Sequence, residues 1–326
     1  MPTTPTPVFV DCDNTMGLSG NEIDDGLALL YLVGQPAVRI VGVSTTFGNG
    51  PVDVTTRQTQ RLVSALGLPL PVHSGADGSL LDDPDPRSRA ARRGDSEAAS
   101  ALAGASKEHA GKLVVLGLGS LTNLAGAAQR DPQFFDRLAG VVAMGGYRAP
   151  LRFARREVDE LNFSSDPEAA HVVLNAPCPV TVMSAQLCLQ ARFGLRHLLL
   201  HNRGPQWLRR LVREWFFAFS SRVGSAGFYL WDLVPAAFVV ERERFSSAPA
   251  ALRSSVDDLR SGRLVLDGTD GCGPDSREPG VVYVPGRIAR SRRFAADCSS
   301  VWARTAEAWT PRSPHAARRG YPFGRE

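Results

Sequence analysis

The sequence predicts an α/β fold: a single domain with a central, mainly parallel sheet flanked by helices. Short apolar runs rich in β-branched residues alternate with helical patterns through the first half of the chain, as in βαβ units. The chain has 326 residues, of which 43% are hydrophobic and 21% charged, and this length suffices for one large buried core. We therefore expect a Rossmann-type core over residues 1–310 and a disordered basic tail over residues 311–326.

Each predicted element rests on a local pattern. Strands are predicted at residues 8–10, 38–45, 112–116, 140–143, 179–183 and 281–284. Helices are predicted at residues 26–33, 55–66, 121–129 and 167–175, and the last of these has a strong start because Asp166 can cap it and Pro167 suits its first turn. The aromatic stretch 205–240 is expected to be helical with its rings in a core, and the polar segment 76–97 to be an exposed loop.

Composition and charge argue against several classes of protein. The net charge is +4, but the basic residues are scattered and not interleaved with aromatic ones, so we expect no nucleic-acid partner. No apolar run reaches about 18 residues, which argues against a membrane partner, and the first residues lack the pattern of a signal peptide. The five cysteines form no CxxC pair, so we expect a reducing, cytoplasmic location.

Two acidic pairs flank the first predicted strand–helix junction. Asp11 and Asp13 end the strand, and Asp24 and Asp25 open the following helix. Ligands in open α/β sheets bind beyond the carboxyl ends of the strands. Four carboxylates gathered there would repel one another unless a cation or bound protons compensated, and Ca²⁺ prefers oxygen ligands. The sequence therefore predicts a metal-centred active site at this junction.

The run Asp11-x-Asp13, followed by Asp24-Asp25-Gly26-Leu27-Ala28, resembles the N-terminal DxDxGxDDA signature of the inosine–uridine-preferring nucleoside hydrolase family. Further segments resemble family motifs in the same order along the chain. These segments are TTFGN near residue 46, GLGSLTN ending at Asn123, MGG at 144–146, ELNFSSDPEAA at 160–170 and the pair Trp231-Asp232. Each match is weak alone, but six matches in the family's order are specific.

This resemblance implies Ca²⁺-dependent hydrolysis of the N-glycosidic bond of a ribonucleoside, giving free base and ribose. Asp13 matches the general base, which also ligates the metal. The other implied metal ligands are Asp25, Asp232 and the main-chain carbonyl of Leu118, with Asp11 as a further ligand or a support.

The resemblance also implies a sugar-binding set and an assembly. Residues that match those gripping the ribose hydroxyls are Asp24, Asn49, Glu160 and Asn162. Relatives form dimers or tetramers, so a homodimer or homotetramer is expected.

The sequence departs from the family pattern at three places. The segment between Asp13 and Asp24 holds ten residues, more than the pattern allows, and its glycines suggest a flexible excursion that could cover the pocket. Trp231 replaces a histidine linked to leaving-group protonation, and since tryptophan is only a donor, we expect it to stack on the base instead. Four arginines, at positions 148, 152, 155 and 156, stand where the family approaches the ribose 5′ end. They belong either to a solvated loop or to a site for a 5′-phosphate.

Two other functions remain open from the residues alone. The run Asp11-Cys12-Asp13-Asn14-Thr15 also fits the DxDxT signature of the haloacid dehalogenase-type phosphatases, although no convincing lysine and acidic pair follow it. A catalytically weakened protein that only binds nucleosides or ribose would also be consistent with Trp231 and the long loop.

Overall fold

The computed structural model describes residues 4–80, 95–268 and 275–309, and the predicted α/β fold is confirmed within them. The predicted tail at 311–326 and the middle of the predicted loop 76–97 lie outside these residues. Among the described residues, no helix is both long enough and apolar enough to cross a membrane.

The described residues contain thirteen strands, numbered in chain order. They are β1 (Thr6–Cys12), β2 (Val38–Thr45), β3 (Val72–Ser74), β4 (Val114–Gly117), β5 (Gly140–Met144), β6 (Leu151–Arg152), β7 (Glu157–Val158), β8 (Val180–Met183), β9 (Arg192–Gly194), β10 (Gly227–Tyr229), β11 (Phe245–Leu252), β12 (Leu266–Gly268) and β13 (Val281–Ile288).

Twelve α-helices are found in the same ranges, together with short 3₁₀ turns at Phe135–Arg137 and Arg242–Arg244. They are α1 (Asp24–Val33), α2 (Val52–Ala65), α3 (Glu97–Glu108), α4 (Thr122–Arg130), α5 (Asn162–Ser165), α6 (Pro167–Leu174), α7 (Ala185–Cys188), α8 (Leu195–Leu200), α9 (Gln206–Val223), α10 (Leu233–Val240), α11 (Val256–Leu259) and α12 (Ser291–Trp309).

Nine of the strands form one sheet, in the order β12-β11-β13-β8-β5-β4-β1-β2-β3. The pairs from β13 to β3 are all parallel, whereas β11 runs antiparallel to both β13 and β12. The chain leaves β1 toward β2 on one side and later returns to β4 on its other side. This reversal creates the switch point at which open α/β sheets bind ligands.

Apolar side chains cover both faces of the sheet. On β1, Val8 and Val10 belong to one buried cluster, and Phe9 belongs to a second cluster. Successive side chains of a strand point to opposite faces of the sheet. When both faces are buried, every position is therefore apolar and the strand has a continuous apolar sequence.

Several boundaries differ from the predictions. The strand predicted to begin at Lys112 begins at Val114, because the amides of Lys112 and Leu113 close a turn on the carbonyl of His109 at 2.9 and 3.0 Å. Helix α2 begins at Val52, three residues before its predicted start. The stretch 205–240 is not helical throughout, since β10 separates α9 from α10.

Candidate functional site

The loops that follow neighbouring strands meet at the carboxyl edge of the main sheet. Asp13 follows β1, Asn49 follows β2 and Leu118 directly follows β4. Asp24 and Asp25 open α1, the helix that returns from this edge. The strand order thus brings together residues that are far apart in the chain.

Three carboxylates form the centre of the site. One oxygen each from Asp24, Asp25 and Asp232 lies within 4.8 Å of the others, and all three residues are buried. Asp24 Oδ1 and both oxygens of Asp25 have no hydrogen-bond partner in the described structure. Burying carboxylate oxygens without hydrogen-bond donors costs free energy, and a bound cation would offset that cost. The trio therefore has the composition expected of a cation site.

Asp13 lies beside this trio and is held by the loop after β2. The main-chain amide of Asn49 donates to Asp13 Oδ2 at 2.6 Å, and Asn49 Nδ2 donates to Asp13 Oδ1 at 3.2 Å. Gly48 has a φ of 152°, and a Cβ at this position would collide with the Asp13 carboxylate. The loop therefore needs glycine here to bring its backbone against Asp13.

Asp11 supports the site from behind. Its Oδ1 accepts hydrogen bonds from Ser44 Oγ at 2.5 Å and from Asn123 Nδ2 at 2.8 Å, while its Oδ2 has no partner among the described residues. The main-chain amide of Leu118 donates to the Asp11 carbonyl at 2.8 Å. Asp11 is thus held by β2, by α4 and by the residue that follows β4, and it is not part of the trio.

Burial raises the pKa of every carboxyl group in the cluster. The pKa rises to about 7 for Asp13 and to about 6 for Asp24 and Asp11, in each case mainly because the charged form is desolvated. For Asp25 and Asp232 the pKa lies well above its usual value, through burial and then through the neighbouring aspartates. Without a cation, this cluster would hold protons near neutral pH.

Glu160 is held almost entirely by main-chain amides. Its Oε1 accepts from the amides of Gly146, Asn162 and Phe163 at 2.9 to 3.1 Å, and its Oε2 accepts from the amide of Ser164 at 2.9 Å. The predicted contact with a sugar hydroxyl is therefore possible only through Oε2, because Oε1 is already saturated.

Asn162 ties two strand ends together. Its Nδ2 donates to the carbonyl oxygens of Leu118 at 2.8 Å and Met144 at 3.2 Å. The Leu118 carbonyl keeps a second lone pair for another partner. Asn162 also lines the cavity beside the trio, so its side-chain oxygen is the atom that could meet a substrate.

A cavity of about 290 Å³ opens over these residues. Trp231 lies in its wall, and its ring is 5.3 Å from that of Tyr229. Trp215 and Phe219, which come from α9, line the same cavity. The cavity wall therefore combines acidic and aromatic side chains, which suits a ligand with a polar sugar and a flat base.

Only one of the four arginines in the 148–156 segment lines this cavity. That residue is Arg156, whereas Arg152 pairs with Glu157 and Arg155 donates to the Ser221 carbonyl at 2.7 Å. A second arginine, Arg222 of α9, lines the cavity but was not singled out from the sequence.

Sequence reasoning also missed Glu22, which lines the cavity. One indication of its role was present in the sequence: Glu22 is a carboxylate in the loop that connects Asp13 to Asp24.

Comparison with known proteins relates the chain to one family. Residues 8–293 match the family model described as "Inosine-uridine preferring nucleoside hydrolase". The chain is 27% identical over 269 residues to Uridine nucleosidase 1 of Arabidopsis thaliana, covering 75% of this chain and 79% of that protein. It is 28% identical over 208 residues to the inosine-uridine preferring nucleoside hydrolase of Crithidia fasciculata, covering 57% and 62%.

Solved structures share the fold. The purine-preferring ribonucleoside hydrolase from Gardnerella vaginalis superposes with a TM-score of 0.75 at 21% identity, over 93% of this chain and 99% of that chain. A plant nucleoside hydrolase superposes with a TM-score of 0.74, also at 21% identity and over the same shares of the two chains.

Proposed function

Because this chain belongs to the inosine-uridine preferring nucleoside hydrolase family, it is a hydrolase of N-glycosyl compounds, and we propose that its activity depends on Ca²⁺. The family assignment decides against the phosphatase alternative for the DxDxT run. The observation that carries the calcium proposal is that Asp24 Oδ1 and both oxygens of Asp25, buried beside Asp232, accept no hydrogen bond from the described residues.

The residues present fit a hard divalent cation. All the candidate ligands offer oxygen: the carboxylates of Asp24, Asp25 and Asp232, that of Asp13 beside them, and the Leu118 carbonyl. Oxygen-only ligands with no sulfur or imidazole nitrogen favour Ca²⁺ over Zn²⁺. When bound, the ion would supply positive charge against the carboxylates, make a water molecule more acidic and hold ribose hydroxyls.

Asp13 is our candidate for the general base. Its two hydrogen bonds from Asn49 fix the carboxylate in place, and its raised pKa makes it a better proton acceptor than an ordinary aspartate. Cleavage of a glycosidic bond passes through an oxocarbenium-like sugar. The surrounding carboxylates would stabilise the developing positive charge on that sugar.

Trp231 is our candidate for binding the base. Its indole cannot deliver a proton as an acid, so we propose that it stacks on the base while the departing base is protonated by another group or by water.

Uridine is the first substrate to test, because relatives from Arabidopsis thaliana and Oryza sativa bear the name uridine nucleosidase. Among ionisable cavity residues, carboxylates outnumber arginines: Glu22, Asp24, Asp159, Glu160 and Asp232 stand against Arg156 and Arg222. Since this balance disfavours a dianion, we propose a nucleoside rather than its 5′-monophosphate as substrate.

The test is base release by purified protein stripped with EDTA and then supplied with Ca²⁺, Mg²⁺ or Zn²⁺. Uridine, cytidine, inosine, adenosine and uridine 5′-monophosphate are the substrates. We expect Ca²⁺ to restore uracil release from uridine, with the monophosphate cleaved more slowly. Full activity in EDTA would refute the metal dependence, and binding of uridine without release of uracil would favour the nucleoside-binding alternative.

We also propose a cytoplasmic location and a homodimer or homotetramer. Four cysteines, at positions 12, 178, 188 and 298, are free and buried, which is compatible with a reducing compartment. Exposed apolar side chains at Leu195, Leu199 and Leu200 on α8 give a surface on which a second copy could pack. Light scattering coupled to size-exclusion chromatography tests the assembly, and a monomer at micromolar concentration would contradict it.

A further inference from the structure

The long segment between the two acidic pairs is anchored rather than loose. Met16 and Ile23 are buried, and the side chain of Met16 lies against Gly26 of α1 so closely that a Cβ there would collide with it. Asn14 Oδ1 accepts from the Met16 amide at 3.0 Å, and Thr15 Oγ1 donates to the Glu22 carbonyl at 2.9 Å. The flexible excursion suggested by the glycines is therefore fixed at both of its ends.

The anchored loop carries a carboxylate into the substrate cavity. Glu22 lines the cavity together with Asp24 and Asn49. Asn49 Nδ2 donates to Asp13 Oδ1 at 3.2 Å, and Asn49 shares the cavity wall with Glu22. The residue that holds the candidate general base therefore lines the same cavity as the carboxylate that the loop supplies.

Helix α9 holds the loop from the other side. Arg222 Nη2 donates to the Gly20 carbonyl at 2.7 Å, and its guanidinium lies 5.4 Å from the centre of the Trp215 ring. Arg222 also lines the cavity beside Glu22, so the helix supplies a positive charge near the carboxylate that the loop supplies. The loop between Asp13 and Asp24 and helix α9 therefore both contribute to the part of the cavity wall that contains Glu22.

Two other roles that Glu22 could have, those of general base and metal ligand, already have candidate residues in this site. Asp13 is already our candidate for the general base, and the trio that can share a cation consists of Asp24, Asp25 and Asp232 without Glu22. A carboxylate is an acceptor only, so its partner in a substrate must be a donor, and a nucleoside offers hydroxyl donors at the sugar end.

We propose that Glu22 is a specificity-determining residue that accepts a hydrogen bond from a hydroxyl of the substrate's sugar. This inference rests on the proposed nucleoside hydrolysis and extends it to a residue outside the family's signature. A hydrogen bond to a charged group contributes enough that losing it should lower kcat/KM by about 10- to 100-fold. For a substrate that lacks the partner hydroxyl, removing the Glu22 carboxylate should leave kcat/KM nearly unchanged, because that hydrogen bond is not formed.

The experiment compares Glu22→Gln with the exposed control Glu108→Gln, using four substrates. These are uridine, 2′-deoxyuridine, 3′-deoxyuridine and 5′-deoxyuridine. We expect Glu22→Gln to lower kcat/KM for uridine about 10- to 100-fold but to change it less than about threefold for the one analogue without the partner hydroxyl. Equal losses on all four substrates, or no loss on any, would overturn the proposal.

Two further measurements separate this role from others. Calorimetric titration should give the same Ca²⁺ affinity for the wild type, Glu22→Gln and Glu108→Gln, and a weakened affinity in Glu22→Gln alone would make Glu22 a metal ligand instead. Thermal melting in Ca²⁺ should show that both variants are folded. If the wild type released no uracil from uridine, the proposed function itself would fail, whereas an active wild type matched by Glu22→Gln would refute this inference alone.

Discussion

Asp25 is buried at the start of α1 with neither of its carboxylate oxygens hydrogen-bonded within the described structure. Helix N-termini favour acidic residues, but a residue that served only this purpose would accept a hydrogen bond from the first-turn amides or face water. Asp25 does neither and instead faces Asp24 and Asp232. Its environment is explained best by a ligand that brings positive charge.

We expect Asp25→Asn to lower both Ca²⁺ affinity and uracil release by at least about 100-fold. The same change should raise the melting temperature in EDTA, because it removes a buried carboxyl group that has no compensating partner. Calorimetric titration and melting curves measure the two effects, with the exposed Asp53→Asn as control. A variant that kept wild-type Ca²⁺ affinity would show that Asp25 is not a ligand.

Trp231 allows a second test at a single position. If its ring stacks on the base, Trp231→Ala should raise KM for uridine about 5- to 100-fold, whereas Trp231→Phe should keep most of the affinity. Steady-state kinetics on both variants decide the point, and Phe217→Ala, which truncates an exposed aromatic side chain on α9, is the control. Equal kinetics of Trp231→Ala and the wild type would rule out stacking.

Helix α6 is an element whose start can be predicted from the local sequence alone. Asp166 was predicted to cap it, and Asp166 Oδ1 accepts from the Ala169 amide at 3.1 Å with Pro167 in the first turn. The structure adds that Asp166 Oδ2 accepts from Thr122 Oγ1 at 2.6 Å and from the Leu80 amide at 3.0 Å. The cap is local, whereas the bonds to α4 and to residue 80 depend on the fold.

We therefore expect Asp166→Ala to lower the free energy of unfolding by about 3 kcal/mol, since it removes the cap and leaves buried donors unpaired. Ser96→Ala, which removes the cap of α3, should cost only about 1 kcal/mol because Ser96 lies nearer the surface. Urea unfolding followed by circular dichroism measures both values. Similar losses for the two variants would mean that the bonds of Asp166 beyond its own helix contribute little.

Other elements could not be predicted so directly. Strand β11 has the sequence FSSAPAAL, which is poor in β-branched residues and contains Pro249. It forms because β13 pairs along most of its length, while the described part of β12 pairs with residues 250–252. Helix α12, in contrast, could have been predicted from its sequence. Its apolar residues recur every four positions, and those residues are buried in the structure: Phe294, Cys298, Trp302 and Ala306.

Motifs in the family's order led to most of the residues that the structure brings together at the candidate site, but not to those outside the motifs. Asp24, Asp25 and Asp232 were singled out by matching motifs, and the fold brings them together across more than 200 residues of sequence. Glu22 and Arg222 lie outside the motifs, and their meeting depends on how the long loop packs against α9. Tertiary packing, which no local pattern encodes, therefore decides the remaining part of the cavity.

For the molecule as a whole, the acidic centre should make stability depend jointly on pH and Ca²⁺. Burial raises the pKa of Asp13 to about 7 and that of Asp24 to about 6, so the metal-free folded protein binds protons that the unfolded chain has already released. For such groups the stabilisation is complete below the unfolded pKa near 4 and is lost as the pH rises through 6 and 7. The metal-free protein should therefore become less stable from pH 5 to pH 8.

Calcium should reverse this loss, because it binds the same carboxylates in their ionised form and competes with protons for them. At a hundredfold excess over its Kd, Ca²⁺ should stabilise the protein by about 3 kcal/mol at pH 8, a rise of roughly 4 °C in Tm for a chain of this length, and by much less at pH 5. Melting curves with EDTA or with Ca²⁺ at the two pH values test this, and Asp25→Asn should flatten the difference. A rise in Tm on adding Ca²⁺ that was equal at pH 5 and pH 8 would mean that the ion binds away from these aspartates.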